Sequence, residues 1–526
     1  MRVEDTAPIA DTAPAYSEQA IALEFANRYA DTLRYVAQWS KWFVWDGTIW
    51  RDDRVRSVFT RANKLCREVA RSVNKVGVSK TIASAKTRAA VVALAGEDNR
   101  LVATVDQWDK DLWLLNTPGG VVDLHTGQMR EHRADDYMTK MTAASPGGDC
   151  PRWKEFMTQI TNGDGELQRY LQRISGYALT GITTEQELYF FYGTGNNGKG
   201  VWILVVSGIL NDYHTAAGIE TFTQSKFDRH PTELAKLRGA RLVTATETEE
   251  GRYWNESRIK QLTGGDVVDA RLMRQDFFSF YPQFKLVFQG NHMPTLHIVN
   301  KAIVRRFNRI PFNVTIPDDQ INKNLAAELK EQEASGILAW MIEGCLEWQK
   351  IGMCPPKVVT EATDSYLESQ DIIGQWIEDC YDQDAQAFAS TTDLFDSWKP
   401  WAEAREERVG SVKTFSAKLE DRGLQKGRQT KRGFYGLKLK SPSAQPEPKV
   451  ILRMYIQNET FGGNGEDHEG AVCVSFSEAD HGGGVWLPKS QIKCSEPGDD
   501  GRVEITIPVG LAKKKGLAEV ESGLPF

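Results

Sequence analysis

The stretch that decides the fold is LYFFYGTGNNGKGVWILVV, residues 188–206. Its first five residues form a compact apolar run, which predicts a buried strand, and the apolar run after Lys199 predicts a helix. The residues between them have the spacing GxxxxGK. Glycines so placed let backbone N–H groups face phosphate oxygens at a helix N-terminus, which favours a P-loop over an ordinary glycine- and asparagine-rich turn. The predicted nucleotide-binding residues are Gly193, Gly195, Asn196, Asn197, Gly198, Lys199 and Gly200.

A P-loop predicts ATP and Mg²⁺ as the bound groups, but one position departs from the usual motif. The residue after the lysine is normally Ser or Thr, whose hydroxyl binds Mg²⁺, and here it is Gly200. Mg²⁺ keeps several waters in many sites, so a water or a nearby acid is a candidate substitute. The sequence leaves open how the ion is held.

Two further apolar runs end in polar residues. RLVTAT, residues 241–246, is followed by Glu247 and Glu249. We predict that Glu247 is the first acid, linked to metal or activating water, with Glu249 assisting it, whereas Glu250 is interpreted as a solvated charge. KLVFQG, residues 285–290, is followed by Asn291, which suits a sensor that contacts the γ-phosphate; the alternative for this residue is a simple turn former.

The region around these motifs alternates strands with helical stretches. The predicted strands are 188–192, 241–246, 284–289 and 305–310. Short apolar strands separated by helical or mixed segments are typical of an α/β fold with a buried, mostly parallel sheet.

Five segments then follow in order within a short span: GTGNNGKG, RLVTATETEEG, KQLTGGDVVDARLMRQDFFSFYP, KLVFQGNHMP and AIVRRFNRIPF. This series resembles the superfamily 3 helicase domain of the phage, plasmid and poxvirus primase–helicase family, over roughly residues 110–350. The family is a branch of the AAA+ ATPases and works as hexameric rings that translocate on DNA. The resemblance therefore implies an AAA+-type P-loop domain, a homo-oligomer that forms a hexameric ring, and single-stranded DNA in the channel of that ring.

The resemblance also assigns roles to residues. Lys199 matches the Walker A lysine, Glu247 with Glu249 the Walker B acids, and Asn291 the sensor. The stretch 260–282 matches a segment that carries a DNA-contacting hairpin, and Arg305 or Arg306 matches the arginine finger that reaches a neighbouring subunit's nucleotide. The candidates for phosphate contacts with DNA are Lys260, Arg271 and Arg274.

Outside this domain, the sequence predicts several smaller domains and segments. From Lys413 to Lys440 there are nine Lys and Arg residues and two acids, with Phe434 and Tyr435 among them. Helices followed by a basic ribbon indicate a winged-helix-like module that binds duplex DNA, with Lys431 and Arg432 on its wing. The alternative is a solvated basic face. The predicted boundaries are a disordered tail (1–15), an N-terminal α/β accessory domain (16–150), the ATPase domain (151–350), the winged-helix-like module (356–440), a linker (441–449) and a small β-rich domain of unknown role (450–526).

The composition of the chain limits which classes of protein remain possible. The 526 residues carry 64 Lys and Arg against 71 Asp and Glu, so any nucleic-acid contact must come from local patches. Seven scattered cysteines without a CxxC pair disfavour a zinc ribbon or disulfide scaffold and favour a reducing cytoplasm. The family resemblance implies that this is the cytoplasm of a bacterial host cell. There is no apolar run of about 18 residues, so no membrane span is expected.

The motifs and the composition leave three functions open. The leading prediction is an ATP-dependent DNA helicase in the replication of a phage, plasmid or other mobile element. The alternatives are an ATP-switched DNA-binding initiator that separates no strands, and the helicase part of a primase–helicase, with a separate primase or other replication proteins as partners. Primase chemistry is disfavoured, because the acidic pairs Asp109/Asp111 and Asp123/His125 lie in a strand–turn context that predicts turn roles. A zinc site at His468, Cys473, His481 and Cys494 fits no defensible spacing.

Overall fold

The computed structural model describes residues 13–224, 232–246, 252–273, 276–296, 299–405, 407, 409–440, 449–456, 471–475, 485–488, 492–494, 503–508 and 511. These residues form two compact units. The first comprises the described residues up to 148 together with 209–213 and 334–342, and the second comprises the described parts of 149–208, 214–333 and 343–526. The predicted tail and linker lie almost entirely outside the described residues.

The first unit contains a helical bundle and two small antiparallel sheets. Its elements are α1 (Glu18–Tyr29), β1 (Leu33–Val36), β2 (Lys41–Trp45), β3 (Trp50–Asp52), α2 (Ser57–Arg71), α3 (Val76–Ile82), α4 (Ala85–Ala95), β4 (Leu114–Thr117), β5 (Gly120–Asp123) and β6 (Gln128–Arg130). Strands β1 to β3 form one sheet and β4 to β6 the other, each in sequence order. Helix α2 forms because its apolar residues recur at helical spacing, so Val58, Ala62 and Leu65 are buried along one side.

The second unit begins with the predicted α/β region. Its elements are α5 (Pro151–Ile160), α6 (Gly165–Tyr177), β7 (Leu188–Tyr192), α7 (Lys199–Leu210), β8 (His214–Ala216), α8 (Thr232–Ala235), β9 (Leu242–Thr246), α9 (Glu256–Gly264), β10 (Val268–Arg271), β11 (Phe277–Phe280), β12 (Lys285–Gly290), α10 (Lys301–Val304), β13 (Phe307–Pro311), α11 (Leu325–Gln332) and α12 (Ala334–Ile351). Residues 209–210 of α7 and 334–342 of α12 belong to the first unit.

Five of these strands form a parallel sheet in the order β13-β7-β12-β9-β8. This confirms the predicted mixed α/β fold with a mostly parallel sheet, and four of its strands are the ones predicted. Strand β8 is additional. The strand β7 is buried along its whole length because both faces of the sheet are covered. Phe190 packs against Trp254 on one face, and Phe191 packs against Trp202 of α7 on the other, with ring centroids 6.4 and 4.8 Å apart.

Two buried cations stabilise the amino-terminal edge of this sheet. Arg241 donates to the Leu179 carbonyl, and Lys285 donates to the Thr180 hydroxyl at 3.0 Å. Both acceptors lie in the segment that directly follows α6. Burial lowers the pKa of Lys285 well below its usual value. The two side chains therefore join the end of α6 to the sheet rather than forming a ligand site.

The rest of the second unit contains helices and antiparallel strands. Its elements are α13 (Lys357–Gln370), α14 (Ile372–Cys380), β14 (Tyr381–Ser390), α15 (Thr391–Glu403), α16 (Val412–Asp421), β15 (Lys426–Arg428), β16 (Arg432–Leu439), β17 (Lys449–Ile456), β18 (Ala471–Ser475), β19 (Val485–Pro488), β20 (Lys493–Cys494) and β21 (Val503–Pro508). Helices α14 to α16 pack on a sheet of order β14-β16-β15, around Trp376, Trp398 and Phe415. Strands β17 to β21 form a second antiparallel sheet.

Candidate nucleotide site

The GxxxxGK loop lies between β7 and α7, as the sequence predicts. Its glycines Gly193, Gly195 and Gly198 have φ angles of 151°, 118° and 84°, which side-chain-bearing residues rarely adopt. The side chain of Lys199 is buried and donates a hydrogen bond to the Gly193 carbonyl. The hydrogen bond from Lys199 thus joins the two ends of the loop. The conformation of the loop depends on glycine at these three positions.

The segment that follows β13 forms hydrogen bonds to the loop. Asn197 Nδ2 donates to the Phe312 carbonyl at 3.2 Å, and the Ile316 N–H donates to the Asn196 carbonyl at 2.7 Å. Asn196 Nδ2 also lies 3.3 Å from Asp318 Oδ1. The two asparagines of the motif therefore anchor the loop to this segment.

Helix α5 packs directly on the loop from the other side. A Cβ atom at Gly198 would lie 2.3 Å from Ile160 Cγ2 and 3.1 Å from a ring carbon of Phe156. Only glycine fits against this face of α5. The sequence analysis missed α5 as part of the site, because the contact joins residues about forty positions apart and leaves no local signal.

The carboxyl ends of β7, β12 and β9 meet at one edge of the sheet. Gly290 pairs with Tyr192, and Gln289 pairs with Thr246. Gln289 Nε2 donates to Thr246 Oγ1 at 3.0 Å. Asn291 follows β12 at this same edge and is exposed. The structure therefore brings Asn291 next to the P-loop, as the strand order requires.

The predicted acids follow β9 at this edge but lie outside the described residues. Residues 247–250 include both Glu247 and Glu249. Their predicted roles stay predictions, and the position of Thr246 establishes only where the segment begins.

A cavity of about 660 Å³ opens at this edge. The loop from Gly195 to Gly200 lines it, together with Thr246, Gln289 and Asn291. Apolar side chains also line the cavity, among them Phe156, Ile316, Ile321 and Leu325. The volume is within the range of sites that bury a ligand of nucleotide size. These apolar residues were not predicted, since nothing in their local sequence distinguishes them from core residues.

The two candidate finger arginines lie at the other edge of the sheet. They directly precede β13, whose first residue pairs with the first residue of β7, so the length of β7 separates them from the P-loop by roughly 16 Å. Arg306 is buried and donates to Thr263 Oγ1 at 3.0 Å, whereas Arg305 is exposed and donates to Gln186 at 3.1 Å. Of the two, only Arg305 presents its side chain at the surface.

The predicted hairpin is present as the antiparallel pair β10–β11. Near its tip Leu272, Met273 and Phe277 are exposed, and the Arg271 guanidinium lies 4.8 Å from the Phe277 ring centroid. Lys260 is half-buried on α9, before the hairpin. Arg274 lies outside the described residues. The hairpin therefore combines exposed apolar side chains with a cation.

The second predicted DNA contact lies on the β15–β16 hairpin. Lys431 and Arg432 are exposed at its turn, while Phe434 is fully buried in the core of the module and Tyr435 is half-buried. The basic side chains are thus exposed whereas the first aromatic is buried, and Phe434 has a packing role.

Of the pairs Asp109/Asp111 and Asp123/His125 in the first unit, Asp111 and Asp123 make turn hydrogen bonds, whereas Asp109 accepts from a residue 30 positions further along the chain. Asp109 accepts from the Thr139 N–H at 2.8 Å, Asp111 from the Trp113 N–H at 2.9 Å, and Asp123 from the His125 N–H at 2.8 Å. Within the described ranges, no group of three or more His, Cys, Asp or Glu side chains is arranged to hold a metal ion, and no helix is both long and apolar enough to cross a bilayer. His468 and His481 of the suggested zinc set lie outside these ranges.

Comparisons with known proteins place the chain in a family context. A family described as "D5 N terminal like" matches residues 22–162, and a family of unknown function (DUF5906) matches residues 191–306. A protein named "Putative helicase" from Acanthamoeba polyphaga mimivirus is 24% identical over 319 residues, covering 56% of this chain and 33% of its own length. One of the same name from Frog virus 3 is 24% identical over 276 residues, covering 49% and 28%. The chain thus spans about a third or less of the curated relatives it matches.

These matches support the resemblance inferred from the motifs: over part of its length the chain is similar to proteins of the phage and viral primase–helicase family. Two solved structures of the C-terminal region of NrS-1 also match, with 9% identity and TM-scores of 0.41. They cover 78% and 80% of this chain and 96% and 99% of their own.

Proposed function

We propose that the chain is an ATP-dependent DNA helicase in the replication of a phage, plasmid or other mobile element, with an AAA+-type ATPase domain in its second unit. The observation that carries this proposal is the P-loop itself. A GxxxxGK loop follows a buried parallel strand, begins a helix and opens onto a cavity of about 660 Å³. Its Lys199 is the buried cation closest to where the phosphates would lie.

The chain's own residues suit binding and hydrolysis of ATP. Backbone N–H groups of the loop and the Lys199 ammonium would contact the phosphates, and the apolar side chains that include Phe156 and Leu325 would cover the base. Mg²⁺, when bound with ATP, neutralises charge on the phosphate oxygens. Asn291 would orient the γ-phosphate or the attacking water, and Glu247, assisted by Glu249, would polarise that water.

The position of Arg305 supports a ring with shared sites. It is exposed at the edge of the sheet opposite its own P-loop, so its guanidinium cannot reach its own nucleotide. In a ring of identical subunits, a hexamer by analogy with the family, this edge would face the P-loop of a neighbour. The neighbour's transition state would then gain the positive charge that a single subunit lacks.

Two surfaces suit DNA. The β10–β11 hairpin, with exposed Phe277 and the cation of Arg271, suits single-stranded DNA in the ring channel, because bases stack on aromatic and guanidinium groups. The α14–α16 and β14–β16 module has the composition of a winged helix, and its exposed Lys431 and Arg432 suit the phosphates of a duplex. A separate primase and other replication proteins would act with it in the cytoplasm of the host.

ATP hydrolysis with Mg²⁺ and single-stranded DNA tests this proposal. Lys199→Ala should lower turnover by on the order of 10²–10³-fold or more, because it removes charge from the transferring phosphoryl group. Lys357→Ala, which changes an exposed lysine on α13, is the matched control and should keep wild-type turnover. If the wild-type protein hydrolyses ATP no faster than Lys199→Ala, the ATPase proposal is wrong.

The exposed basic hairpin β15–β16 favours one other function, an ATP-switched initiator that binds duplex DNA without separating strands. Both functions predict nucleotide binding and duplex binding. They differ in strand separation, which only the helicase performs.

A further inference from the structure

The first turn of α7 has an open space where a P-loop usually has a hydroxyl. Gly200 is the residue after the motif lysine and has no side chain to offer Mg²⁺. A Cβ built at Gly200 would meet, among the described residues and outside its own helix, one atom within 4 Å: Oε1 of Gln289, at 4.0 Å. The space is thus faced by an oxygen from a neighbouring strand.

The side chain of Gln289 is held in this orientation. Gln289 is the last residue but one of β12, and its Nε2 donates to Thr246 Oγ1 at 3.0 Å. Because the amide nitrogen is engaged on β9, the amide oxygen is directed toward α7. Gln289, Thr246 and Gly200 all line the cavity of the nucleotide site.

An amide oxygen has the chemistry that this position requires. Mg²⁺ takes hard oxygen ligands at about 2.0–2.1 Å and is usually bound by one or two protein oxygens together with substrate phosphates and waters. An ion between the Gly200 position and Gln289 would lie at the start of α7, where the phosphates of a bound nucleotide meet the loop. The amide oxygen of Gln289 is therefore placed to bind an ion at the same location as a hydroxyl at position 200 would.

We propose that Gln289 Oε1 supplies the protein ligand to nucleotide-bound Mg²⁺ that Gly200 cannot supply. This inference rests on the proposed function, since the ion is held together with the nucleotide. It assigns the ion to a residue that the motif pattern does not include.

Binding of Mn²⁺ in the presence of ADP, measured by electron paramagnetic resonance, tests the assignment without requiring turnover. Gln289→Met keeps the length of the side chain but replaces the amide by a thioether, which is a poor ligand for hard cations. We expect Mn²⁺ affinity in the ADP complex to fall by on the order of 10-fold or more. ADP binding without metal, measured separately by calorimetry, should stay within about 2-fold of wild type.

Two further variants separate a ligand from a structural role. Gly200→Ser added to Gln289→Met should restore Mn²⁺ affinity to within about 3-fold of wild type, because it returns an oxygen to the same location. Gln168→Met is the matched control: Gln168 Nε2 also donates to a threonine hydroxyl, that of Thr161, at 3.1 Å, but Gln168 does not line the cavity. It should leave Mn²⁺ affinity unchanged.

The outcomes distinguish this inference from the proposed function. A wild-type protein that binds no ADP, with or without Mn²⁺, overturns both. If ADP binds and Gln289→Met keeps wild-type Mn²⁺ affinity, the inference is wrong and the nucleotide site stands. If Mn²⁺ affinity falls and Gly200→Ser does not restore it, Gln289 supports the sheet edge and is not the ligand.

Discussion

Three glycines of the loop differ in what an added methyl group would meet, so alanine substitutions at them separate backbone strain from steric overlap. Gly195 has a φ of 118° and no heavy atom within 4 Å of a built Cβ. Gly198 has a φ of 84°, and its Cβ would lie 2.3 Å from Ile160 Cγ2. Gly200 lies in α7, has no positive φ, and meets only Gln289 at 4.0 Å.

The expected magnitudes follow from these environments. Gly195→Ala adds backbone strain alone, of order 1–3 kcal/mol. Gly198→Ala adds overpacking against α5, about 1–3 kcal/mol more. Gly200→Ala should stabilise α7 by up to about 1 kcal/mol, because alanine is the better helix former.

Nucleotide affinity is the appropriate measurement, because the loop can relieve strain by leaving its binding conformation while the rest of the protein stays folded. At about 1.4 kcal/mol per tenfold, we expect ADP affinity to weaken by roughly 10-fold for Gly195→Ala and at least 100-fold for Gly198→Ala. Gly200→Ala should bind ADP without metal as the wild type does. Thermal melting of each variant checks that it is folded.

A double variant identifies the overlap as the cause. Ile160→Ala removes the methyl group that Gly198→Ala would strike, so the two changes together should cost less than the sum of each alone. The reasoning is refuted if Gly198→Ala binds ADP as tightly as Gly195→Ala, or if the two effects at Gly198 and Ile160 simply add.

Three other predictions concern other parts of the second unit. Arg305→Ala and Lys199→Ala proteins should each lack ATPase alone and regain some when mixed and co-assembled; a mixture that assembles but stays inactive contradicts the shared site. Replacing Lys431 and Arg432 by Ala should lower the slope of log duplex affinity against log salt by roughly two, and an unchanged slope would indicate a solvated face. Burial raises the pKa of Glu187 from 4.5 to about 7, against the opposing hydrogen bond from the Tyr189 hydroxyl. The folded protein therefore holds an extra proton between these values, and stability falls as pH rises through this window, by on the order of 2–3 kcal/mol. Glu187→Gln should raise the melting temperature at pH 8 more than at pH 5, and an equal change at both would contradict this.

The sequence predicted the strands of the sheet well where apolar runs were continuous. The run Leu188–Tyr192 is buried on both faces, so its composition alone distinguishes it. Strand β8 was missed because none of its three residues, His214–Ala216, is buried, and its conformation depends on pairing with β9. Strand β14 was missed for a similar reason: Tyr381–Ser390 is mostly polar, and its pairing with β16 decides its conformation.

The residues of the candidate site also fall into two groups: those that local sequence patterns predict and those that only tertiary packing brings together. Residues within the loop, and Asn291 at a strand end, follow from local patterns; the structure places them along the cavity, and their roles stay predictions. The apolar lining that includes Phe156 and Ile316 comes from segments distant in sequence, so tertiary packing alone reveals it. Gln289 carried a signal that could have been used, since a polar residue ended an otherwise apolar strand. The difference between Arg305 and Arg306 depends on burial, which no pattern of two adjacent arginines can predict.

Separation of a forked DNA duplex is the measurement that tests the central claim most directly. The substrate has a labelled strand, and its release is followed with wild-type protein, Mg²⁺ and ATP, and compared with a non-hydrolysable ATP analogue and with Lys199→Ala. We predict release by the wild type with ATP alone, and binding of the fork without release in the other two cases. A wild-type protein that hydrolyses ATP and binds the fork but releases no strand would contradict the helicase account and favour the ATP-switched initiator.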